Sequence, residues 1–271
     1  MLASLLLVGC GKMGGALLRG WIERGVAQGH IDIIEPDPGA ADAFASEGGA
    51  GFHTSLETAG IDTSPGAIVF AVKPQIMDEV LPPYRNFVGP DTVFLSIAAG
   101  RTLASFERHL GAEAAIVRSM PNLPASVGRG MSVACANPRV SADQRRACDE
   151  MLEAVGEVAW VDDEALLDPV TAVSGSGPAY VFLLVECLAE AAEEQGLAPE
   201  LAQLLARTTV IGGGELMRRA PESAARLREN VTSKGGTTAA ALDVLMAEDG
   251  LARLMRRAVR AATARSRELA G

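Results

Sequence analysis

The chain has 271 residues, 48% of them hydrophobic and 21% charged, which is enough to bury a core without help from metals or disulfides. A formal net charge of −10 excludes the basic surface that a phosphate backbone requires, so no nucleic-acid partner is expected. Four scattered cysteines, Cys10, Cys135, Cys148 and Cys187, show no CxxC spacing; they exclude a zinc motif or a disulfide framework and point to a reduced, cytoplasmic protein with no metal.

The first element is the apolar run LASLLLV at residues 2–8, followed by Gly9-Cys10-Gly11-Lys12-Met13-Gly14 and the helical pattern GALLRGWIERG. Apolar strand, GxGxxG and helix in that order form the dinucleotide-binding arrangement. Gly9 permits the tight turn, Gly11 lets backbone approach a pyrophosphate, and Gly14 lets helix and strand pack closely. The helix N-terminus then offers N–H groups to the phosphates. The N-terminal run lacks a basic leader, so a secretion signal is not expected; no later segment approaches the roughly 18 to 20 apolar residues of a membrane span.

The next strand, IDIIE at residues 31–35, ends on Glu35. That carboxylate stands where an acidic side chain accepts hydrogen bonds from the adenosine ribose of NAD. It would repel the additional phosphate of NADP, so the sequence leans toward NADH over NADPH; the alternative is a strand-end Glu that merely faces solvent. Further strands are expected at AIVFAV (67–72), TVFLSIA (92–98), AAIVRSM (114–120), GMSVACA (130–136) and EVAWV (157–161). Helical stretches such as TLASFERHL and ADQRRACDEMLEAV, the second capped by Ser141, fall between some of them. Alternating strands and helices imply a mainly parallel sheet covered on both faces, with ligands at the carboxyl ends of the strands. There Pro74 and Pro121 end their strands at a defined angle and hold Lys73 and Asn122 over the sheet edge, beside a nicotinamide ribose.

After EVAWVDDEALLD the strand pattern stops, which places a boundary near residue 163: residues 1–163 bind the dinucleotide, and 164–271 are all-helical. The helix beginning at Pro178, AYVFLLVECLAEAAEEQGL, is apolar on most faces and expected to be buried, in part against a partner chain. Gly196 ends it and Pro199 starts the next helix. A short helix follows over about 222–229, and the last is expected to run unbroken from about Thr237 through SREL. Two polar islands interrupt this pattern. In Ser174-Gly-Ser-Gly-Pro-Ala-Tyr180, Ser176 is expected to cap a helix. In Asn230-Val231-Thr232-Ser233-Lys234-Gly235-Gly236-Thr237-Thr238, one helix closes, two glycines free the backbone and another helix starts, making an anion cradle for a carboxylate or phosphate. Only three lysines stand against twenty-one arginines, and Lys12, Lys73 and Lys234 each fall inside one of these motifs. With no histidine in the second half, a reduction whose protonation is easy, such as hydride addition to a C=N group, is favoured over alcohol oxidation by a histidine base.

Taken together, GCGKMGG, AVKPQ, SIAAG, RSMPNLPASVGRGM, SGSGPAYVF and NVTSKGGTT resemble the pyrroline-5-carboxylate reductases. The resemblance implies an α/β chain: an N-terminal Rossmann-type domain, then an all-α domain that binds a small-molecule substrate and forms a homodimer, with higher homo-oligomers in some members. The implied reaction is NAD(P)H-dependent reduction of Δ1-pyrroline-5-carboxylate to L-proline, the last step of proline biosynthesis. The cofactor would lie along Gly9, Gly11, Lys12, Met13, Gly14, Glu35, Ala71, Val72, Lys73, Pro74 and Asn122. The substrate would be held by Asn230, Val231, Ser233, Lys234, Gly235, Gly236, Thr237 and Thr238, with the Thr238 hydroxyl as partner of the ring nitrogen. A β-hydroxyacid dehydrogenase is the rival within enzymes, although its helix-borne lysine has no counterpart here except Lys234. A non-catalytic nucleotide-sensing module is the rival outside them.

Overall fold

In the computed structural model, residues 4–26, 30–42, 44 and 50–269 are described. The chain divides into two compact units, residues 1–175 with 263–271, and residues 176–262.

The first unit is built on strands β1 (Leu5–Val8), β2 (Ile31–Ile34), β3 (Ala50–His53), β4 (Ala67–Phe70), β5 (Val93–Ser96), β6 (Ala115–Met120), β7 (Gly130–Ala136) and β8 (Gly156–Trp160). They form one sheet in the order β3-β2-β1-β4-β5-β6-β7-β8. Every pairing is parallel except β6 with β7. The first six strands thus have the doubly wound order, whose topological switch lies between β1 and β4. β7 reverses because β6 and β7 are joined only by a short 3₁₀ turn, Leu123–Val127, and a parallel return needs a longer crossover.

The helices of this unit are α1 (Lys12–Arg24), α2 (Pro38–Asp42), α3 (Leu56–Ala59), α4 (Met77–Val80), α5 (Leu103–Leu110), α6 (Ala142–Glu153) and α7 (Leu167–Val170). Alternation along β1 sends Leu5 and Leu7 to one face, where they join Leu17, Leu18 and Trp21 of α1 and Met151 of α6. Leu6 and Val8 go to the other, with Phe70, Tyr84, Phe94 and Phe106. Both faces are dry, which is why the strands read as continuous apolar runs. Two helices start where their caps predict. Thr102 Oγ1 accepts from Ser105 N at the head of α5, and Ser141 forms a reciprocal capping box with Gln144 at the head of α6.

β3 was not foreseen in the sequence. Its glycine-rich GGAGFH pattern lacks strand character, and Gly51 is there for space: a Cβ would lie 2.5 Å from His30 Nε2 and 3.1 Å from Asp32 Oδ1. Pairing with β2 supplies the order that local propensity does not.

The second unit holds α8 (Gly177–Glu194), α9 (Pro199–Arg219), α10 (Ala224–Asn230), α11 (Thr237–Leu245) and the greater part of α12 (Leu251–Leu269). Gly196, with φ of 92°, turns the chain between α8 and α9, which pack on one another. Three expectations need correction here. Ser176 makes no side-chain cap; the chain passes from α7 through a π-turn, Thr171–Gly175, directly into α8. The polar island therefore does not interrupt the helix, and the stretch Glu164–Glu194 is long and apolar enough to cross a membrane by length and composition, contrary to the segment-by-segment reading. The last helix is also not continuous: α11 and α12 are separated at residues 246–250, where Gly250 donates to Ala247 O. A Cβ there would meet the Leu245 carbonyl carbon at 2.8 Å, and Glu248 and Asp249 precede the new helix start, as acidic residues commonly do.

Candidate active site

The turn after β1 is fixed by backbone geometry. Gly9 has φ of 92° and donates to Ile34 O at 2.9 Å. A Cβ on it would lie 2.8 Å from Val72 Cγ1 and 3.0 Å from Ala71 backbone. Gly14 is equally closed, since its Cβ would strike the Gly9 carbonyl and lie 3.1 Å from Ala71 Cβ. Gly11 is the exception: a Cβ there would meet nothing within 4 Å. Gly11 thus faces open space, and the first bond of the α1 ladder is Gly15 N–H to Gly11 O at 2.8 Å. The amides of Lys12, Met13 and Gly14 come before that ladder, with the dipole of α1 behind them. Lys12 is exposed and Met13 half-buried against the core.

Glu35 reaches across this turn. Its Oε2 accepts from Cys10 N at 2.8 Å and its Oε1 from Asp37 N at 3.0 Å, so the carboxylate is held at the mouth of the glycine loop and keeps further lone pairs for a ligand. Gly9, Gly11, Glu35, Ala71, Val72 and Lys73 line one cleft of about 860 Å3. Pro74 opens the 3₁₀ turn Pro74–Ile76 and leaves Lys73 exposed beside it.

The opposite wall was missed by sequence reasoning. It consists of Ser55, Leu56 and Glu57 around the start of α3, Ile76, Glu79 and Val80 around α4, and Pro83, Tyr84 and Phe87 of the 3₁₀ helix Pro82–Phe87. The Ser55–Thr58 capping box was a legible signal for the first group. Burial pushes the Tyr84 phenol well above its ordinary value, so it lines the wall as a neutral group. Asn122 does not present its amide to the sheet edge as its position after β6 implied. Its Nδ2 donates to Ser174 O and Oγ at 3.2 and 3.1 Å, and its Oδ1 accepts from Met131 N at 2.9 Å. The side chain is committed to a carbonyl of the π-turn.

In the second unit, Thr232 Oγ1 donates to Arg228 O at 2.6 Å and closes α10. Ser233 O accepts from Gly236 N at 3.1 Å, making a tight turn with Lys234 and Gly235 at its centre, and Gly235 has φ of 72°. Gly236 precedes α11, and Ala240 N is the first to return to it. The amides of Thr237, Thr238 and Ala239 therefore precede the ladder. A Cβ on Gly236 would come within 2.6 Å of Ser233 Oγ. Asn230, Val231, Ser233, Lys234 and Thr237 are exposed, and Thr238 is half-buried. The turn is an anion cradle of N–H groups with one ammonium beside it.

A doubly wound sheet, a glycine loop at its switch point and a cleft along the carboxyl ends define a nicotinamide-dinucleotide oxidoreductase of Rossmann type. Comparison with known proteins narrows this. Residues 4–100 match the family model described as NADP oxidoreductase coenzyme F420-dependent, and residues 164–269 match that described as pyrroline-5-carboxylate reductase dimerisation. The chain is similar to the pyrroline-5-carboxylate reductase of Pseudomonas aeruginosa, 38% identical over 98% of this chain and 96% of the relative. It is 36% identical to that of Mycobacterium tuberculosis over 99% and 97%. Among solved structures it is similar to the reductase of Coxiella burnetii, with a TM-score of 0.91, 34% identity and coverage of 98% and 97%. It is also similar to the Plasmodium falciparum pyrroline carboxylate reductase solved with NADP bound, with a TM-score of 0.80, 28% identity and coverage of 99% and 98%. The chain belongs to the pyrroline-5-carboxylate reductase family.

Proposed function

We propose that this chain reduces the C=N bond of Δ1-pyrroline-5-carboxylate to give L-proline, with NADH as the preferred reductant. The observation that carries the reading is the pairing of full-length similarity to the reductases with two separate anion-binding backbone turns, one at the head of α1 and one at the head of α11. A dinucleotide and a small carboxylate substrate need such a pair.

The glycine loop fits the cofactor, because the only side chain that Gly11 could carry would point into unfilled space. The amides of Lys12, Met13 and Gly14 take the pyrophosphate, and Ala71, Val72, Lys73 and Pro74 form the edge of its cleft. The bound nicotinamide supplies the hydride that the imine carbon accepts. This chain's own residues bind and orient. Amides of Ser233 through Thr237, with the Lys234 ammonium, hold the substrate carboxylate. The Thr238 hydroxyl faces the ring nitrogen and keeps a hydrogen-bond partner there as that nitrogen becomes an amine. Glu35 favours a ribose with free hydroxyls over one bearing a phosphate.

The active species is a homodimer assembled through the helical unit. Phe182, Leu183, Leu204, Ile211 and Val244 are exposed large apolar residues of that unit, and within it only Ala189, Ala202 and Ala206 are fully buried among the described residues. Faces of that size require cover, and a second copy supplies it in place of lipid. The net charge of −10 argues against a nucleic-acid partner, and cytoplasmic proline synthesis is the setting.

The test is purified protein with NADH or NADPH and pyrroline-5-carboxylate, followed by loss of nicotinamide absorbance. Turnover with a higher kcat/KM for NADH is expected; cofactor binding without turnover would sink the reductase reading. Thr238→Ala should lower kcat/KM about 5- to 150-fold, equivalent to roughly 1–3 kcal/mol for an unmet polar partner, with cofactor affinity unchanged.

A further inference from the structure

We infer that Glu57 and Glu79 are coenzyme-specificity residues, acting with Glu35 as an acidic wall that rejects a dinucleotide carrying a phosphate on its adenosine ribose. The inference rests on the reading of the 860 Å3 cleft as the cofactor site.

Three carboxylates line that cleft, each from a different element: Glu35 after β2, Glu57 in the first turn of α3 and Glu79 in α4. Among the described lining residues the one cation is Lys73, so the walls carry a formal excess of two negative charges. The carboxylates are placed by structure. Glu35 is held by two backbone N–H groups. Glu57 Oε2 accepts from Ser55 Oγ at 3.3 Å, and Ser55 is itself fixed as the cap of α3. No arginine belongs to the described lining, and arginine is the side chain whose fork neutralises a phosphate bidentately. The remaining lining is apolar, including Leu56, Ile76, Val80 and Phe87. Low-dielectric walls focus the field of the carboxylates into the space a ligand must enter.

A pyrophosphate escapes this penalty at the glycine loop, where amides and the α1 dipole meet it. An additional ribose phosphate, near −2 at neutral pH, has no such partner in the cleft. Glu35 alone would set a preference at one hydroxyl, whereas three carboxylates on separate elements repel the charge wherever it lies in the cleft. The discrimination is then electrostatic in origin, and two properties follow that a steric clash would not give. Neutralising Glu57 and Glu79 without changing their shape should relax the selectivity, and salt should relax it too, because the cleft is open to solvent and its charges are screened over about 8–10 Å.

The experiment measures the dissociation constants of NADH and NADPH by calorimetry, with no substrate present, for the unmodified protein and the Glu57→Gln/Glu79→Gln double variant. In the variant, NADPH should bind about tenfold more tightly while NADH changes less than about threefold. Raising salt from about 0.05 to 0.5 M should shrink the NADPH-to-NADH ratio of dissociation constants severalfold in the unmodified protein and much less in the variant. If neither nucleotide binds the unmodified protein, the cofactor reading fails. If NADH binds but the ratio is the same in both proteins, Glu57 and Glu79 are not specificity residues. If the variant does not fold, the salt series on the unmodified protein still decides: a ratio that ignores salt overturns the electrostatic wall.

Discussion

Three consecutive glycines, Gly212, Gly213 and Gly214, sit in the middle of α9. A Cβ on any of them would meet nothing within 4 Å in this chain. In an isolated helix that pattern is costly: glycine is about 1 kcal/mol worse than alanine at each position, so replacing all three should stabilise a solitary chain by roughly 3 kcal/mol. Successive residues step by about 100° around a helix, so the three span more than half its circumference. A second copy packed closely on α9 would feel at least one new methyl, and overpacking costs about 1–3 kcal/mol at a filled interface. The homodimer reading therefore reverses the expected sign. Urea unfolding of the Gly212→Ala/Gly213→Ala/Gly214→Ala variant, at two protein concentrations tenfold apart and alongside sedimentation, reads both terms. For the unmodified protein the midpoint should rise with concentration, as for a folding-coupled dimer. In the variant, association should weaken and the 3 kcal/mol gain should not appear. A variant that gains the full amount and remains dimeric would show that the glycine face is open to solvent, and the argument for close packing on α9 would be refuted.

Further outcomes follow from single sites. Gly9→Ala puts a Cβ into a φ of 92° and 2.8 Å from Val72 Cγ1; dinucleotide affinity should be lost while circular dichroism stays native, and unchanged affinity would remove the glycine loop from the site. Trp21 Nε1 donates to Met151 O at 2.8 Å in the core, so Trp21→Phe should destabilise the first unit by about 1–3 kcal/mol in denaturant unfolding. Burial pushes the Cys148 thiol far up, so a thiol reagent at pH 8 should leave it unmodified until the protein unfolds. Hydrogen bonds from Arg101, then His109, hold the Asp78 carboxyl below its ordinary 3.8. A depressed carboxyl contributes stability that is present above about pH 4 and lost as pH falls through the lower folded value. Asp78→Asn should accordingly lower stability at neutral pH and flatten the acid limb below pH 4. Asp78 is 53% exposed, so the effect should be small; an unaltered acid-unfolding profile would count against the trio.

The sequence by itself determined those features that depend on neighbours along the chain. Gly9-Cys10-Gly11-Lys12-Met13-Gly14 announced a strand-turn-helix because tight turns and close packing admit only glycine. Ser141 announced α6 through a hydroxyl three residues from the amide that it caps, and Gly196, Pro199 and Asn230 marked helix ends for equally local reasons. Alternating apolar runs placed seven of the eight strands, although their ends were drawn a residue or two long, since periodicity does not say where pairing stops. The tertiary structure decided what depends on partners far off in sequence. β3 exists because β2 pairs with it. Glu35 meets the amide of Cys10 across 25 positions, and Asn122 meets Ser174 across 52, so the first became a fixed wall of the cleft and the second a brace for a π-turn. That turn carried the helix straight through a polar island that reads locally as a break. Glu57 and Glu79, unremarkable surface acids in the sequence, became facing charges only because α3 and α4 both end at the carboxyl edge of the sheet. Local signals follow from sterics and hydrogen bonds within a turn of backbone; a site follows from which turns the sheet brings together.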